Sequence, residues 1–154
     1  MKRRRKTNSN VPAKGRLRDM ADQLWSVAVR NDWAGKCAVC GSRQVEAHHL
    51  IPRQFEATRY ELINGMALCS QHHKFDPHLS PHLNAPAWTQ WLWDHYIERW
   101  EWVFQSPNPR PKFTGTKNAA HYIEHIRRLR QYVEPEDFER IVGVRFAAWL
   151  EEQP

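Results

Sequence analysis

The sequence predicts an α+β fold: a small strand–loop–strand–helix core, stapled by one metal ion, with flanking α-helices. Three observations predict it. Two pairs of metal-ligating residues at matched spacing, "CAVC" and "CSQH", bracket residues 41–68. Two short runs rich in apolar and β-branched residues, "QVEAHHLI" and "NGMALC", have the length and composition of strands. Before and after them, apolar residues recur at steps of three and four, the period of an amphipathic helix.

In chain order, Leu17, Met20, Leu24 and Val27 predict a helix over about 16–30. "NDWAGKCAVCGSR" reads as a turn-rich knuckle, and "QVEAHHLI" as a strand ended by Pro52. Residues 53–63 read as a loop, "NGMALC" as the second strand, and "SQHHKFDPH" as the start of a helix. The segment 85–104 predicts one helix with two apolar stripes, Trp88, Leu92 and Tyr96 on one and Trp93, Ile97, Trp100 and Phe104 on the other. Two stripes imply packing on more than one side. "QSPNPRPKFTGTK" is a Pro/Gly-rich connection. Beyond it, Tyr122, Ile126, Leu129 and Val133 mark one amphipathic segment, and Phe138, Ile141, Val142, Phe146, Trp149 and Leu150 a second, with Pro135 near its start. The expected organisation is a basic arm at 1–15, a core domain with the Trp-rich helix at 16–104, a linker at 105–117 and a helical hairpin at 118–154.

The bulk numbers bound the function. At 154 residues and 18.4 kDa the chain is one ordinary domain or a small domain with an appendage. No apolar run approaches the ~20 residues of a membrane span, and no hydrophobic segment follows the basic start. A cytoplasmic setting is therefore expected, without membrane partners. The net charge of +6 is uneven, since residues 1–18 hold eight Lys or Arg and no acid. An arm carrying Arg3, Arg4 and Arg5 suits a phosphate backbone, although a solvated tail or targeting signal has the same composition.

Three cysteines do not make a complete disulfide set, and a C-x-x-C suggests metal or redox chemistry. Cys37 and Cys40 converge across small residues, and Cys69 with His72 repeats their spacing. Together they form a closed Cys₃His set suited to structural Zn²⁺. Free core cysteines or a redox pair at 37 and 40 are the alternatives, and neither accounts for His72.

Zinc leaves His48, His49 and His73 unspent. "EAHHLIP", then Asn64 in "NGMALC", then His73 after "CSQH" resembles the HNH (His-Me finger, ββα-metal) endonuclease motif set between two zinc half-sites, over roughly residues 36–78. The resemblance implies a metal-dependent DNA endonuclease with a ββα-metal core. In it His49 is the general base, His48 and His73 hold one divalent ion, and Asn64 pins the loop and orients the base. His48, where many relatives carry aspartate, widens the choice of ion to Mg²⁺, Mn²⁺, Ni²⁺ or Zn²⁺. His72 stands where cysteine is usual, so His72 and His73 can exchange roles. Adjacent strand residues point to opposite faces, so a site shared by His48 and His49 calls for a bend or bulge. The imidazoles of residues 48, 49 and 73 are expected to meet around that ion, apart from the zinc.

The loop "RQFEATRYEL" resembles, more loosely, a stretch of phage recombination endonucleases, which implies a phage or prophage setting and a host-cell cytoplasm. Arg53 and Arg59 flank the site as candidate phosphate contacts, or as ion pairs with Glu56 or Glu61. Asp76, His78 and His82 read as an exposed loop in preference to partners of the metal ligands. Expected partners are double-stranded or branched DNA and, at most, a second copy of the chain, as monomer or homodimer. The competing readings are a non-catalytic zinc-binding module for DNA or protein, and a nuclease acting on RNA.

Overall fold

The computed structural model describes residues 10–105 and 112–153; Arg3, Arg4 and Arg5 lie outside them. The described residues are α+β, with several helices and one small antiparallel sheet. Its elements are α1 (Lys14–Asp32), β1 (Glu46–His49), β2 (Gly65–Leu68), α2 (Ala85–His95), α3 (Ile97–Phe104), α4 (Ala119–Leu129), α5 (Pro135–Val142) and α6 (Val144–Glu152). It divides into two compact units, residues 25–116 and residues 1–24 with 117–154, so that the division falls within α1.

The unit of residues 25–116 is built on the two-stranded sheet. β1 and β2 pair in regular antiparallel register, Glu46 opposite Leu68 through His49 opposite Gly65. The bulge expected at the histidine pair is therefore absent. All of β2 is buried, and Met66 and Leu68 form a core cluster with Cys37, Cys69, Trp88 and Leu92. Burial of this kind stabilises by roughly 25 cal/mol per Å² of apolar area. At Gly65 the sheet comes so close to α1 that a Cβ would run into both methyls of Val29 and lie 3.1 Å from Trp25. Only glycine permits that approach.

The helix expected over 85–104 breaks at Tyr96, whose backbone (φ −142°, ψ 60°) is not helical. Its hydroxyl donates to the Ala38 carbonyl at 3.1 Å, so a tertiary bond to the knuckle overrides the apolar periodicity. The break redirects α3. From there the Arg99 guanidinium donates to the carbonyls of Ile63 (2.8 Å) and Gly65 (2.7 Å), pairs with Asp32 (3.1 Å), and lies 4.9 Å from the Trp33 ring. Arg99 thus fixes the entry to β2.

In the other unit most of each expected apolar stripe is buried, Tyr122, Ile126, Leu129, Phe138, Val142, Phe146 and Leu150 among them, while Ile141 and Trp149 are half-buried. Asn118 caps α4 by accepting from the His121 amide at 3.0 Å. The second arm of the hairpin expected at 118–154 is split into α5 and α6 at Gly143, where φ is +84°, a conformation suited to glycine. Arg127, Arg128 and Arg130 are exposed.

Candidate functional site

The knuckle and the turn after β2 bring the first cluster together. Gly41, at φ +74°, lets the chain turn after Cys40, and the Gly41 amide donates to the Cys37 carbonyl at 2.9 Å. The Ala38 amide donates to Ala67 at 2.9 Å and ties the knuckle to β2. After Cys69 the chain makes a single wide helical turn, Gln71–Phe75, in which the Asp76 amide reaches the Gln71 carbonyl at 2.8 Å. Such π-turns recur at functional sites because they re-aim side chains. Here the neighbours His72 and His73 are sent to different clusters.

His72 joins Cys37, Cys40 and Cys69, with every ligand atom within 4.8 Å of the others. Cys40 Sγ lies 3.8 Å from Cys69 Sγ, and His72 Nδ1 lies 3.3 Å from Cys69 Sγ and 3.8 Å from Cys37 Sγ. Tetrahedral Zn²⁺ with bonds of about 2.3 Å to sulfur and 2.0 Å to nitrogen requires about 3.8 Å between sulfurs and about 3.5 Å from sulfur to nitrogen. The cluster fits zinc. Burial pushes the Cys37 thiol up, but the amides of Cys69, Cys40 and Val39 and the His72 ring outweigh it and bring it to about 7, so a thiolate is accessible. His72 Nε2 faces the Asp76 carboxylate at 3.7 Å, an arrangement that orients ligating imidazoles.

His73 turns the other way, toward β1. Its Nδ1 donates to the Glu46 carboxylate at 2.8 Å, and Glu46 also pairs with Lys74 at 2.6 Å. In neutral His73 this places the lone pair on Nε2, which lies 3.1 Å from His48 Nδ1. Two bonds of about 2.1 Å to one ion at right or tetrahedral angles end about 3.0–3.4 Å apart, so the pair fits a shared cation. His48 is buried, and burial together with the neighbouring rings of His73, His82 and His49 pushes it down to about 3. It therefore stays neutral, as a ligand must. His82 completes the group: its ring centroid is 5.4 Å from that of His48 and 5.0 Å from that of His73.

His49 does not join them. The regular pleat sends its ring to the opposite face of β1, where it stacks on Trp25 at 3.6 Å and 11°. There Nε2 donates to the Arg59 carbonyl at 3.0 Å. A carbonyl only accepts, so Nε2 carries the proton and Nδ1 the lone pair. The rings at 48, 49 and 73 therefore do not meet as expected; the structure instead groups those of His48, His73 and His82. His49 stands at the last position of the strand, and so it lines the same cleft of about 820 Å³ as His48, His73 and His82.

Asn64 is 0% exposed and ties the loop to the strand end. Its Oδ1 accepts from the Ile51 amide at 2.7 Å, while Nδ2 donates to the carbonyls of Ile51 and Thr58, each at 3.0 Å. This closes the loop whose Arg59 carbonyl holds His49. The Arg59 side chain, 13% exposed, pairs with Glu56 at 3.8 Å, whereas Arg53 is exposed and lines the cleft. Glu46, Arg99 and the stacking role of Trp25 escaped the sequence reading, and Asp76 and His82, expected in an exposed loop without a role, lie against His72 and beside His48 and His73. Glu46 carried a signal, since an acid two residues before a histidine on a strand shares its face.

Residues 37–79 match the model of a family described as HNH endonuclease. No curated protein and no solved structure matches the chain. The matched segment contains both Cys/His pairs, the 48–49 doublet, Asn64 and His73, and it supports a nuclease-type function.

Proposed function

We propose that the chain, similar over residues 37–79 to HNH endonucleases, is a metal-dependent DNA endonuclease that hydrolyses phosphodiester bonds. The observation that carries this reading is the pairing of His48 Nδ1 with His73 Nε2 at 3.1 Å, in a cleft that His49 shares, separate from a complete Cys₃His set.

His49 is the general base. The Arg59 carbonyl fixes its tautomer and the Trp25 ring fixes its plane, so Nδ1 can take the proton of a water that attacks phosphorus. An imidazole suits this task because its ordinary pKa is near the working pH. Water's oxygen forms the new P–O bond, the bond to the leaving oxygen breaks, and that oxygen picks up a proton from solvent. Asn64 acts on His49 through the loop and is a positioning residue. His48 and His73 would hold one divalent ion, Mg²⁺, Mn²⁺ or Ni²⁺, which when bound supplies Lewis-acid stabilisation of charge on the phosphate. Cys37, Cys40, Cys69 and His72 would hold structural Zn²⁺, whose binding free energy supports the fold. The exposed guanidinium of Arg53 and the basic arm with Arg3, Arg4 and Arg5 would meet the backbone of double-stranded or branched DNA. One hydrolytic ion per chain implies that each site nicks one strand, so a double-strand break takes two copies or two visits. The setting implied by the family resemblance is a phage or prophage.

The test is relaxation of supercoiled plasmid by zinc-loaded protein with Mg²⁺, Mn²⁺ or Ni²⁺. Nicking that needs the added ion and falls about 10²–10⁴-fold in His49→Ala supports the reading. Equal cutting by the variant removes His49 as base. No nicking with any ion leaves a zinc-binding interaction module.

A further inference from the structure

We propose that His82 is the third protein ligand of the divalent ion, so that the site offers three imidazoles and no carboxylate and selects a transition ion over Mg²⁺. The inference rests on His48 and His73 holding an ion, as proposed above. It adds a residue beyond position 79, where the family match ends.

The structure delivers His82 by a specific device. Ser80 is completely buried, and its hydroxyl donates to the His73 carbonyl at 2.8 Å while accepting from the His82 amide at 3.2 Å. One oxygen therefore ties the backbones of two ring-bearing residues together. The Ser80 main chain is fixed as well, its amide to Asp76 at 3.0 Å and its carbonyl to the Asn84 amide at 2.8 Å. The loop folds back over the π-turn and places the His82 ring against both others. One nitrogen from each ring falls within 4.8 Å of the other two, a spread that small side-chain rotations close to ligand distances. The ring is exposed and faces the cleft, so it can swing onto an ion without disturbing the core.

The chemistry of the donor set then decides the ion. Among the described residues no carboxylate belongs to this cluster. Glu46, the acid in contact with it, is engaged by His73 Nδ1 and Lys74 Nζ. Mg²⁺ favours oxygen ligands and retains its waters, whereas imidazole suits Zn²⁺, Ni²⁺ and Mn²⁺, with affinity rising from Mn²⁺ to Ni²⁺. Three neutral imidazoles give Mg²⁺ neither charge nor oxygen.

The experiment is calorimetric titration of the full, zinc-loaded chain with Ni²⁺ and with Mg²⁺, with zinc content measured before and after. The parent is compared with His82→Ala and with His78→Ala, which removes an exposed histidine of the same loop outside the cluster. The parent should bind Ni²⁺ at least about 100-fold more tightly than Mg²⁺. His82→Ala should weaken Ni²⁺ by about tenfold or more, with one zinc per chain retained and His78→Ala unchanged. A His82→Ala protein that binds Ni²⁺ as the parent does, or a parent that binds Mg²⁺ as well as Ni²⁺, overturns the proposal. The readout is independent of cleavage. Nicking by the parent with unaltered Ni²⁺ affinity in His82→Ala removes the third ligand and leaves the nuclease. His82-dependent Ni²⁺ binding without nicking removes the nuclease and leaves the ligand.

Discussion

Asn64→Ala tests the positioning argument quantitatively. The side chain is completely buried and makes three hydrogen bonds, to Ile51 twice and to Thr58 once. At about 1 kcal/mol each their loss costs about 3 kcal/mol, and more where the orphaned Ile51 and Thr58 groups stay shut off from water. For a unit of this size that lowers the melting temperature by more than about 10 °C. Catalysis should suffer separately. The loop closed by Asn64 carries the Arg59 carbonyl that aims His49, and a displacement of about 1 Å at a reacting group costs about 10²-fold in rate. The assay is thermal unfolding of zinc-loaded parent and variant, followed by plasmid nicking well below the variant's transition. A shift under about 3 °C, or parental nicking by the folded variant, would refute the argument that Asn64 orders this loop.

Other perturbations probe other parts. Gly65→Ala drives a methyl into Val29 and should destabilise by about 1–3 kcal/mol in denaturant titration; Val29→Ala in the same protein should restore much of it, and an additive loss would count against the close approach. Cys69→Ser should drop zinc, measured by metal analysis, and unfold the 25–116 unit, whereas a zinc-loaded folded product would remove Cys69 from the ligand set. Acid should weaken the protein lacking a second ion. Folded His48 titrates near 3 against an ordinary 6.5, so the unfolded chain binds the extra proton. The contribution is complete above about pH 6.5 and is lost as pH falls toward 3, by at most about 1.4 kcal/mol per pH unit. His48→Gln should flatten unfolding free energy between pH 6.5 and 5; an unchanged slope would show that the burial of His48 does not set it.

Much of the site was legible in short-range spacing. The matched two-residue gaps of Cys37–Cys40 and Cys69–His72 require only a tight knuckle and one turn to converge, and the cluster fits zinc. The mixed helix and two-stranded architecture was legible for the same reason, since turn residues and apolar periods are local. His82 was not, because it reaches the cluster through the buried Ser80 hydroxyl, and nothing in "HLSPHLN" announces that tether. The role of Trp25 was hidden because an aromatic in a helical stripe reads as core; its ring is in fact a floor for His49. The pleat was read as an obstacle to be bent away. It stays regular, and the two histidines use opposite faces at the very end of a strand. The break at Tyr96 came from a hydroxyl reaching Ala38, a contact 58 residues apart in sequence.

The central claim is that one chain holds two different metal centres, with His49 beside the second but outside it. Anomalous scattering from crystals of zinc-loaded protein soaked in Mn²⁺, recorded at both absorption edges, tests it most directly. The account predicts a zinc peak among Cys37, Cys40, Cys69 and His72, and a separate manganese peak about 2.0–2.3 Å from His48 Nδ1 and His73 Nε2, with the His49 ring still on Trp25. A single peak, or a manganese ion ligated by His49, would contradict it.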